Sequence, residues 1–322
     1  MSEQPTQILP TLAAETVLVF PGQGAQHVGM AGSFMHHPAS RDLFTEANDV
    51  LGFNLTALLT DGPADELNLT ANTQPALLLA GIAALKVLEA ESGATVPELA
   101  RFVAGHSLGE YTALVAAGAL SFADGIRLVR QRGLAMQEAV PAGQGGMAAV
   151  LGLDTQQLIQ ICQQAGCFVA NDNAPGQIVI SGAAAAVEKA DEMARAHGAK
   201  RVLPLTVSAP FHCPLMEPAA MVMAQALRAV TWQTPVVPII SNVTAQSEHD
   251  PLRLRQLLVE QVTAPVEWRT SMDWLAEQGI TRLIELGCGN VLTGLARRCQ
   301  PSMQGQALTS VDDIRGKLQG AA

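Results

Sequence analysis

Gly105-His106-Ser107-Leu108-Gly109 decides how this chain is read. The five residues follow a short apolar run, Arg101-Phe102-Val103-Ala104, and precede an apolar, alanine-rich stretch over 111–120. The order is strand, sharp turn, helix, with a serine at the apex. A G-x-S-x-G turn in that setting is a nucleophile elbow. Its two glycines permit a tight turn and leave the hydroxyl unshielded. The helix that starts just after Ser107 brings unpaired N–H groups and a positive dipole end beside the hydroxyl, where a developing oxyanion would be stabilised. The alternative is a Gly-bounded loop with an incidental serine. The flanking strand and helix favour the nucleophile.

Outward from the elbow, strands and helices alternate. Residues 16–20 read as a buried parallel strand that stops at Pro21-Gly22-Gln23-Gly24. Helices are expected at about 40–51 and 74–91, and over 122–139 with Asp124 in the first turn. From 145 to 207 the pattern changes. Strands are expected at 147–153, 167–170, 177–180 and 201–207, with helices at 155–165 and 183–197 and a turn at 171–176. That order, βαββαβ, is ferredoxin-like. Strands return at 236–240 and 282–285, the latter ending in Leu286-Gly287-Cys288-Gly289. The expected fold class is therefore α/β: a mostly parallel-sheet domain over 16–142 and 206–312, with an inserted ferredoxin-like subdomain over 143–205. The Gly-rich segment 141–146 reads as its entry hinge, and residues 1–15 as a short disordered tail.

Composition bounds the function. The 322 residues are 48% hydrophobic and only 15% charged, which suits a large buried core. A net charge of −10 without long single-sign runs argues against a nucleic-acid partner. The longest apolar stretch, 76–85, falls short of the ~20 residues of a membrane span, and the polar N-terminus does not read as a signal peptide. Five cysteines with neither a C-x-x-C pair nor metal-ligand spacing suggest reduced thiols in a cytoplasm and no metal site. The Asn-x-Thr triplets at Asn54, Asn68 and Asn242 then read as chance matches.

A serine needs a base. Of seven histidines, His27, His36, His37, His197 and His249 lie in polar loops or at helix ends, and His106 reads as structural because neighbouring side chains diverge at a sharp turn. His212 lies between two prolines in Ser208-Ala209-Pro210-Phe211-His212-Cys213-Pro214, just past an expected strand end. Loops at the C-terminal ends of parallel strands are where α/β active sites assemble. None of Asp250, Glu267 and Asp273 sits in a clear post-strand turn, so a Ser–His dyad oriented by a backbone carbonyl is the simpler reading. On the helix over 122–139, Arg132 falls on the inward stripe of Ile126, Val129, Met136 and Ala139, whereas Arg127 and Arg130 fall off it. An inward guanidinium pairs either with a buried Asp or Glu or with the carboxylate of a substrate. Gln23 could offer a second oxyanion N–H. Its loop is not a dinucleotide fingerprint, because His27 stands where the third glycine belongs.

Taken together, the residues resemble the malonyl-CoA:acyl carrier protein transacylases over about 16–300. The resemblance rests on Phe20-Pro21-Gly22-Gln23-Gly24, Gly105-His106-Ser107-Leu108-Gly109-Glu110-Tyr111, Gln131-Arg132-Gly133, Asn173-Ala174-Pro175-Gly176-Gln177, Phe211-His212 and Leu292-Thr293-Gly294-Leu295. It implies an α/β-hydrolase-like domain with a ferredoxin-like insertion. Ser107 is then the acylated nucleophile, His212 its base, Gln23 and Leu108 the backbone oxyanion donors, and Arg132 the grip on the malonyl carboxylate. Gln261 is the residue whose main-chain carbonyl orients the histidine. The implied reaction is ping-pong transfer from malonyl-CoA to the phosphopantetheine thiol of an acyl carrier protein by a cytoplasmic monomer without bound cofactor. Arg127, Arg130, Lys200, Arg201, Arg297 and Arg298 are candidates for a carrier docking patch. Phe211 stands where many fatty-acid-synthesis members have serine, and polyketide-synthase domains that choose malonyl often carry Phe there. The pathway therefore stays open between fatty acid synthesis, a free-standing polyketide acyltransferase and malonate decarboxylase loading. A serine esterase or thioesterase shares the elbow and is the alternative of another class, as is a carrier-binding module without catalysis.

Overall fold

The computed structural model describes residues 13–207 and 209–319. Two sheets organise them. The strands are β1 (Thr16–Phe20), β2 (Phe102–Gly105), β3 (Gly145–Leu151), β4 (Phe168–Ala174), β5 (Gln177–Ala183), β6 (Arg201–Pro204), β7 (Ile239–Ile240), β8 (Ser247–Glu248), β9 (Arg282–Leu286) and β10 (Gln304–Leu308). The larger sheet has the order β10-β9-β1-β2-β7-β8 and is parallel except at the β7–β8 edge. The smaller has the order β4-β5-β3-β6 and is antiparallel throughout. With helices Thr155–Ala165 and Ala184–Ala196 it completes βαββαβ, the expected ferredoxin-like insertion in an α/β fold.

Alternation along the central strands builds a core on each face of the large sheet. Leu18, Phe20, Val103 and Ile239 enter one cluster, while Val17, Val19, Phe102, Ala104 and Ile240 enter the other. The helix Thr70–Ser92 runs through the first cluster. It begins four residues before the expected start, with Pro75 inside it. By length and composition it is long enough to cross a membrane, contrary to the sequence expectation. However, 89% of its apolar window is buried inside the fold, which makes it a core helix.

Several expectations need correction. The turn expected at 171–176 is mostly strand, because β4 continues through Asn171-Asp172-Asn173-Ala174 with two register shifts and only Pro175-Gly176 turn. Tertiary pairing overrides the turn-forming composition: Asp172 N–H donates to Val266 O, and Val266 N–H to Ala170 O. The strand expected at 236–240 shrinks to β7, since Pro238 has no N–H for the ladder. Polar β10, at the far edge, carries no hydrophobic signal that sequence reading could use. The expected tail lies outside the described residues except at its end. There, the Glu15 carbonyl accepts from Thr281 and Arg282 N–H.

Glycines set the closest approaches. A Cβ on Gly133 would lie 2.6 Å from Ala71 Cα, so helix Phe122–Glu138 can cross helix Thr70–Ser92 closely only with glycine there. Gly133→Ala should cost about 1–3 kcal/mol through overpacking. Gly316→Ala, whose Cβ meets nothing within 4 Å in helix Val311–Gln319, should instead stabilise by about 0.5–1 kcal/mol. Denaturant unfolding of both variants checks this, and shifts of the same sign would remove the close-approach argument.

Candidate active site

The elbow is built as the sequence implied. Gly105 closes β2, and Gly109 opens helix Gly109–Ala116. The two glycines touch: a Cβ on Gly105 would lie 1.9 Å from Gly109 C, and one on Gly109 would lie 2.2 Å from Phe20 O. Between them Ser107 sits at φ 54°, a left-handed conformation that costs a non-glycine residue about 1 kcal/mol or more. Asn242, just past β7 and buried, holds that conformation from below. Its Oδ1 accepts from Ser107 N–H at 2.6 Å, and its Nδ2 donates to Gly105 O at 2.7 Å. Sequence reading saw Asn242 only as part of a chance triplet. Its place beyond a parallel strand was the available signal.

His212 Nε2 lies 2.7 Å from Ser107 Oγ. Its Nδ1 lies 2.8 Å from the main-chain O of Gln261, in helix Pro251–Thr263. A carbonyl can only accept, so Nδ1 carries the hydrogen and the Nε2 lone pair faces the serine. The arrangement is a dyad oriented by a backbone carbonyl, and no carboxylate hydrogen-bonds the ring among the described residues. One expectation changes. The loop bearing His212 leaves β6 of the antiparallel sheet rather than a parallel strand, and Ser208 in that loop lies outside the described residues. His212 is itself held at φ 57°.

Arg132 is buried, with 1% exposure, on the inward face of helix Phe122–Glu138. Its Nη1 donates to Gln74 Oε1 at 3.0 Å, and its Nη2 donates to Gln261 Oε1 at 2.9 Å and to Ser107 Oγ at 3.1 Å. The guanidinium also lies 5.6 Å from the Tyr111 ring centroid. Every hydrogen-bond acceptor is neutral. Of the two alternatives the sequence left open, pairing with a buried Asp or Glu is not found among the described residues. Arg127 is solvated and pairs with Asp124, whereas Arg130 is half-buried over the Phe53 ring and bonds Asn72.

The remaining positions fall around these three. Gln23 and Leu108 line the pocket, and their N–H groups meet no acceptor among the described residues. Gly22 lets that loop lie against the elbow, since a Cβ there would be 2.7 Å from His106 O. His106 Nε2 lies 2.8 Å from Asn173 Oδ1, which ties the elbow to β4. Asp172 takes a bidentate pair of bonds from Arg269 in helix Trp268–Glu277, Nε to Oδ1 and Nη2 to Oδ2, and accepts from the Thr155 hydroxyl. The Leu292-to-Leu295 motif is structural: buried Glu285 on β9 accepts from the N–H groups of Leu292 and Thr293 and from the Thr293 hydroxyl, capping helix Val291–Cys299. The pocket, about 110 Å³, is closed by Gln74, Met136, Met147, Asn171, Leu205, Val207 and Phe211. Gln74 escaped sequence reading because it precedes a proline at an expected helix start.

Electrostatics follow burial. Desolvation, with the positive charge of Arg132 next, pushes the His212 imidazole down to about 3. Burial pushes Glu110 up to about 7. The site thus presents a neutral base, a hydroxyl held between that base and a cation, and two unpaired amides. This set can run nucleophilic acyl chemistry.

The acyl transferase domain matches residues 17–313. A malonyl CoA-acyl carrier protein transacylase of Salmonella typhimurium is 47% identical over 295 residues, covering 90% of this chain and 94% of the relative. The crystal structure of an acyl-carrier-protein-S-malonyltransferase from Bartonella henselae superposes with a TM-score of 0.92 at 46% identity, covering 95% of this chain and 99% of that one. A malonyl-transacylase solved in complex with its type II PKS acyl-carrier protein superposes with a TM-score of 0.90 at 42% identity, with 95% and 99% coverage.

A neutral base predicts the acid limb of Ser107 reactivity. Because the His212 pKa is lowered, its free-base form persists below the ordinary histidine range as pH falls. The rate of Ser107 modification by a neutral sulfonyl fluoride should therefore keep at least about half of its pH 8 value at about pH 5.5. A tenfold fall over that interval, read by intact mass, would sink the assignment. By fold and sequence, the chain belongs to the malonyl CoA-acyl carrier protein transacylases of the acyl transferase domain family.

Proposed function

We propose that the chain transfers a malonyl group from malonyl-CoA to the phosphopantetheine thiol of an acyl carrier protein, through a malonyl ester on Ser107. The observation that carries this reading is Arg132, a buried cation with only neutral acceptors, one of them the nucleophile itself at 3.1 Å. Neutral oxygens accept from its Nη1 and Nη2 but leave its charge uncompensated, which an anion entering the pocket would compensate. A malonyl group attached to Ser107 brings a carboxylate to the same place, where a guanidinium fork can hold it. A simple esterase would have no use for this cation.

The steps use atoms already in position. The Ser107 O–H proton passes to His212 Nε2 as Oγ attacks the thioester carbonyl. The tetrahedral oxyanion rests on the N–H groups of Gln23 and Leu108. The C–S bond breaks, and the leaving coenzyme A thiolate takes the proton from His212. The phosphopantetheine thiol then enters, gives its proton to His212 and attacks the ester, and Ser107 leaves with that proton. Gln261 O keeps the imidazole in its working tautomer throughout. The reaction needs no bound cofactor or metal. It is assigned to the cytoplasm, to a monomer, and to fatty acid synthesis, with 16–142 and 206–312 carrying the nucleophile and 143–205 forming the roof. Phe211 on the pocket wall and the similarity to a transacylase of a type II PKS carrier support free-standing polyketide loading as the second reading.

Intact mass of the protein incubated with malonyl-CoA should show a malonyl adduct absent from Ser107→Ala and discharged faster by carrier protein than by water. Rapid release of free malonate without carrier would instead mark a hydrolase. Arg132→Ala should lower kcat/KM for malonyl-CoA by about 100-fold or more, since buried charge-assisted bonds are lost, and should narrow the preference over acetyl-CoA. Retained preference removes the carboxylate clamp.

A further inference from the structure

Both hydrogen bonds accepted by the Glu110 side chain come from residues that hold the chemical groups. Glu110 is in the first turn of the elbow helix and has no exposed surface. Its Oε2 accepts from Gln261 Nε2 at 2.7 Å and from Asn242 N–H at 3.2 Å, while Oε1 has no partner. Gln261 is the hub of the site. Its main-chain O fixes His212 Nδ1, its Oε1 accepts from Arg132, and its Nε2 donates both to Ser107 O and to Glu110. Asn242 is the clamp on the Ser107 backbone. The carboxylate therefore sits behind the nucleophile, the base and the cation, and touches none of them directly.

An amide has one oxygen and one nitrogen end, and its orientation is fixed by what each end meets. With Glu110 facing Nε2, Oε1 must face Arg132. If that acceptor is lost, the NH₂ end of Gln261 keeps only its bond to Ser107 O, one buried N–H is left without a partner, and the amide is held less firmly against the guanidinium. The same geometry separates Arg132 from the Glu110 carboxyl by one amide. A direct Arg–Glu pair would neutralise the cation that the substrate carboxylate needs, whereas the amide between them takes one Nη2 N–H and leaves the positive charge without a directly bonded anion.

We propose that Glu110 is a positioning residue that acts through Gln261, setting the side-chain amide that holds Arg132 and the helix position from which the Gln261 carbonyl orients His212. The proposal rests on the malonyl-transfer reading. Gln in place of Glu110 keeps an oxygen where Oε2 stands and supplies an NH₂ at the unpartnered Oε1 position. Asp keeps the charge but is one methylene shorter. The hydrogen bond and the charge thus make opposite predictions.

The test is steady-state transfer from malonyl-CoA to carrier protein by wild type, Glu110→Gln, Glu110→Asp and Glu110→Ala. Each is also paired with Gln261→Met, and folded fractions are read by circular dichroism. Glu110→Ala and Glu110→Asp should lower kcat per folded site by about 10-fold or more and raise KM for malonyl-CoA, while Glu110→Gln stays within about threefold of wild type. In the Gln261→Met background, Glu110→Ala should add less than about twofold, because residues acting through one another are not additive. Wild-type kcat and KM in folded Glu110→Asp, Glu110→Gln as slow as Glu110→Ala, or full multiplication of the effect in the Gln261→Met background each overturn the proposal. If Glu110→Ala does not fold, the Asp and Gln variants decide alone. A wild-type protein that forms no malonyl adduct on Ser107 overturns the malonyl-transfer reading instead, which separates the two failures.

Discussion

The placement of one buried cation organises this molecule. Arg132 is almost fully enclosed, and the acceptors around it are neutral oxygens from three different parts of the chain. A desolvated guanidinium is tolerated only where oxygens are arranged around it in advance. That requirement reaches outward. Helix Thr70–Ser92 must come close enough to deliver Gln74, which the missing side chain at Gly133 permits. Helix Pro251–Thr263 must end with Gln261 under the elbow. Glu110 then lies one amide from the cation and fixes the amide between them.

Two of the four non-glycine residues with left-handed backbones among the described residues lie at the same place. Both partners of the candidate dyad, Ser107 and His212, have left-handed backbones without being glycine. Each such residue costs about 1–3 kcal/mol and persists only where its surroundings over-determine it. For Ser107 those surroundings are the Gly105–Gly109 contact and the two bonds from Asn242. For His212 they include the bond from Nδ1 to Gln261 O. The two strained residues therefore depend on overlapping supports. A change in Gln261 or Asn242 is felt by nucleophile and base together.

What the sequence made legible was local. The elbow, the inward stripe of Arg132 and the βαββαβ order are all encoded within windows of tens of residues, by spacing and periodicity. What it concealed was long-range. Gln261 and Glu110 lie 151 positions apart, and Asn242 lies 135 from Ser107. No periodicity reports such pairs. The strand in Asn171-Asp172-Asn173 was hidden for a related reason. Its composition favours a turn, and the contacts that extend it, to Val266, Arg269 and His106, come from elsewhere in the chain. The orienting carbonyl of Gln261 was reached only through family resemblance, because any backbone carbonyl looks alike in a sequence.

The proximity of Arg132 to the dyad also ties basicity to substrate charge. In the free site, burial and the guanidinium together hold His212 well below the ordinary histidine range. A base so depressed accepts a proton poorly. Under the proposed reaction, a carboxylate arriving on Arg132 cancels much of the positive field felt by the imidazole, and removing a like charge raises a histidine's proton affinity. His212 thus becomes the stronger base when the pocket holds an acyl group with its own negative charge. A neutral acyl group of similar size leaves the field in place and the base weak. Discrimination then acts on the proton-transfer step as well as on binding, which places part of the selectivity in kcat rather than wholly in KM.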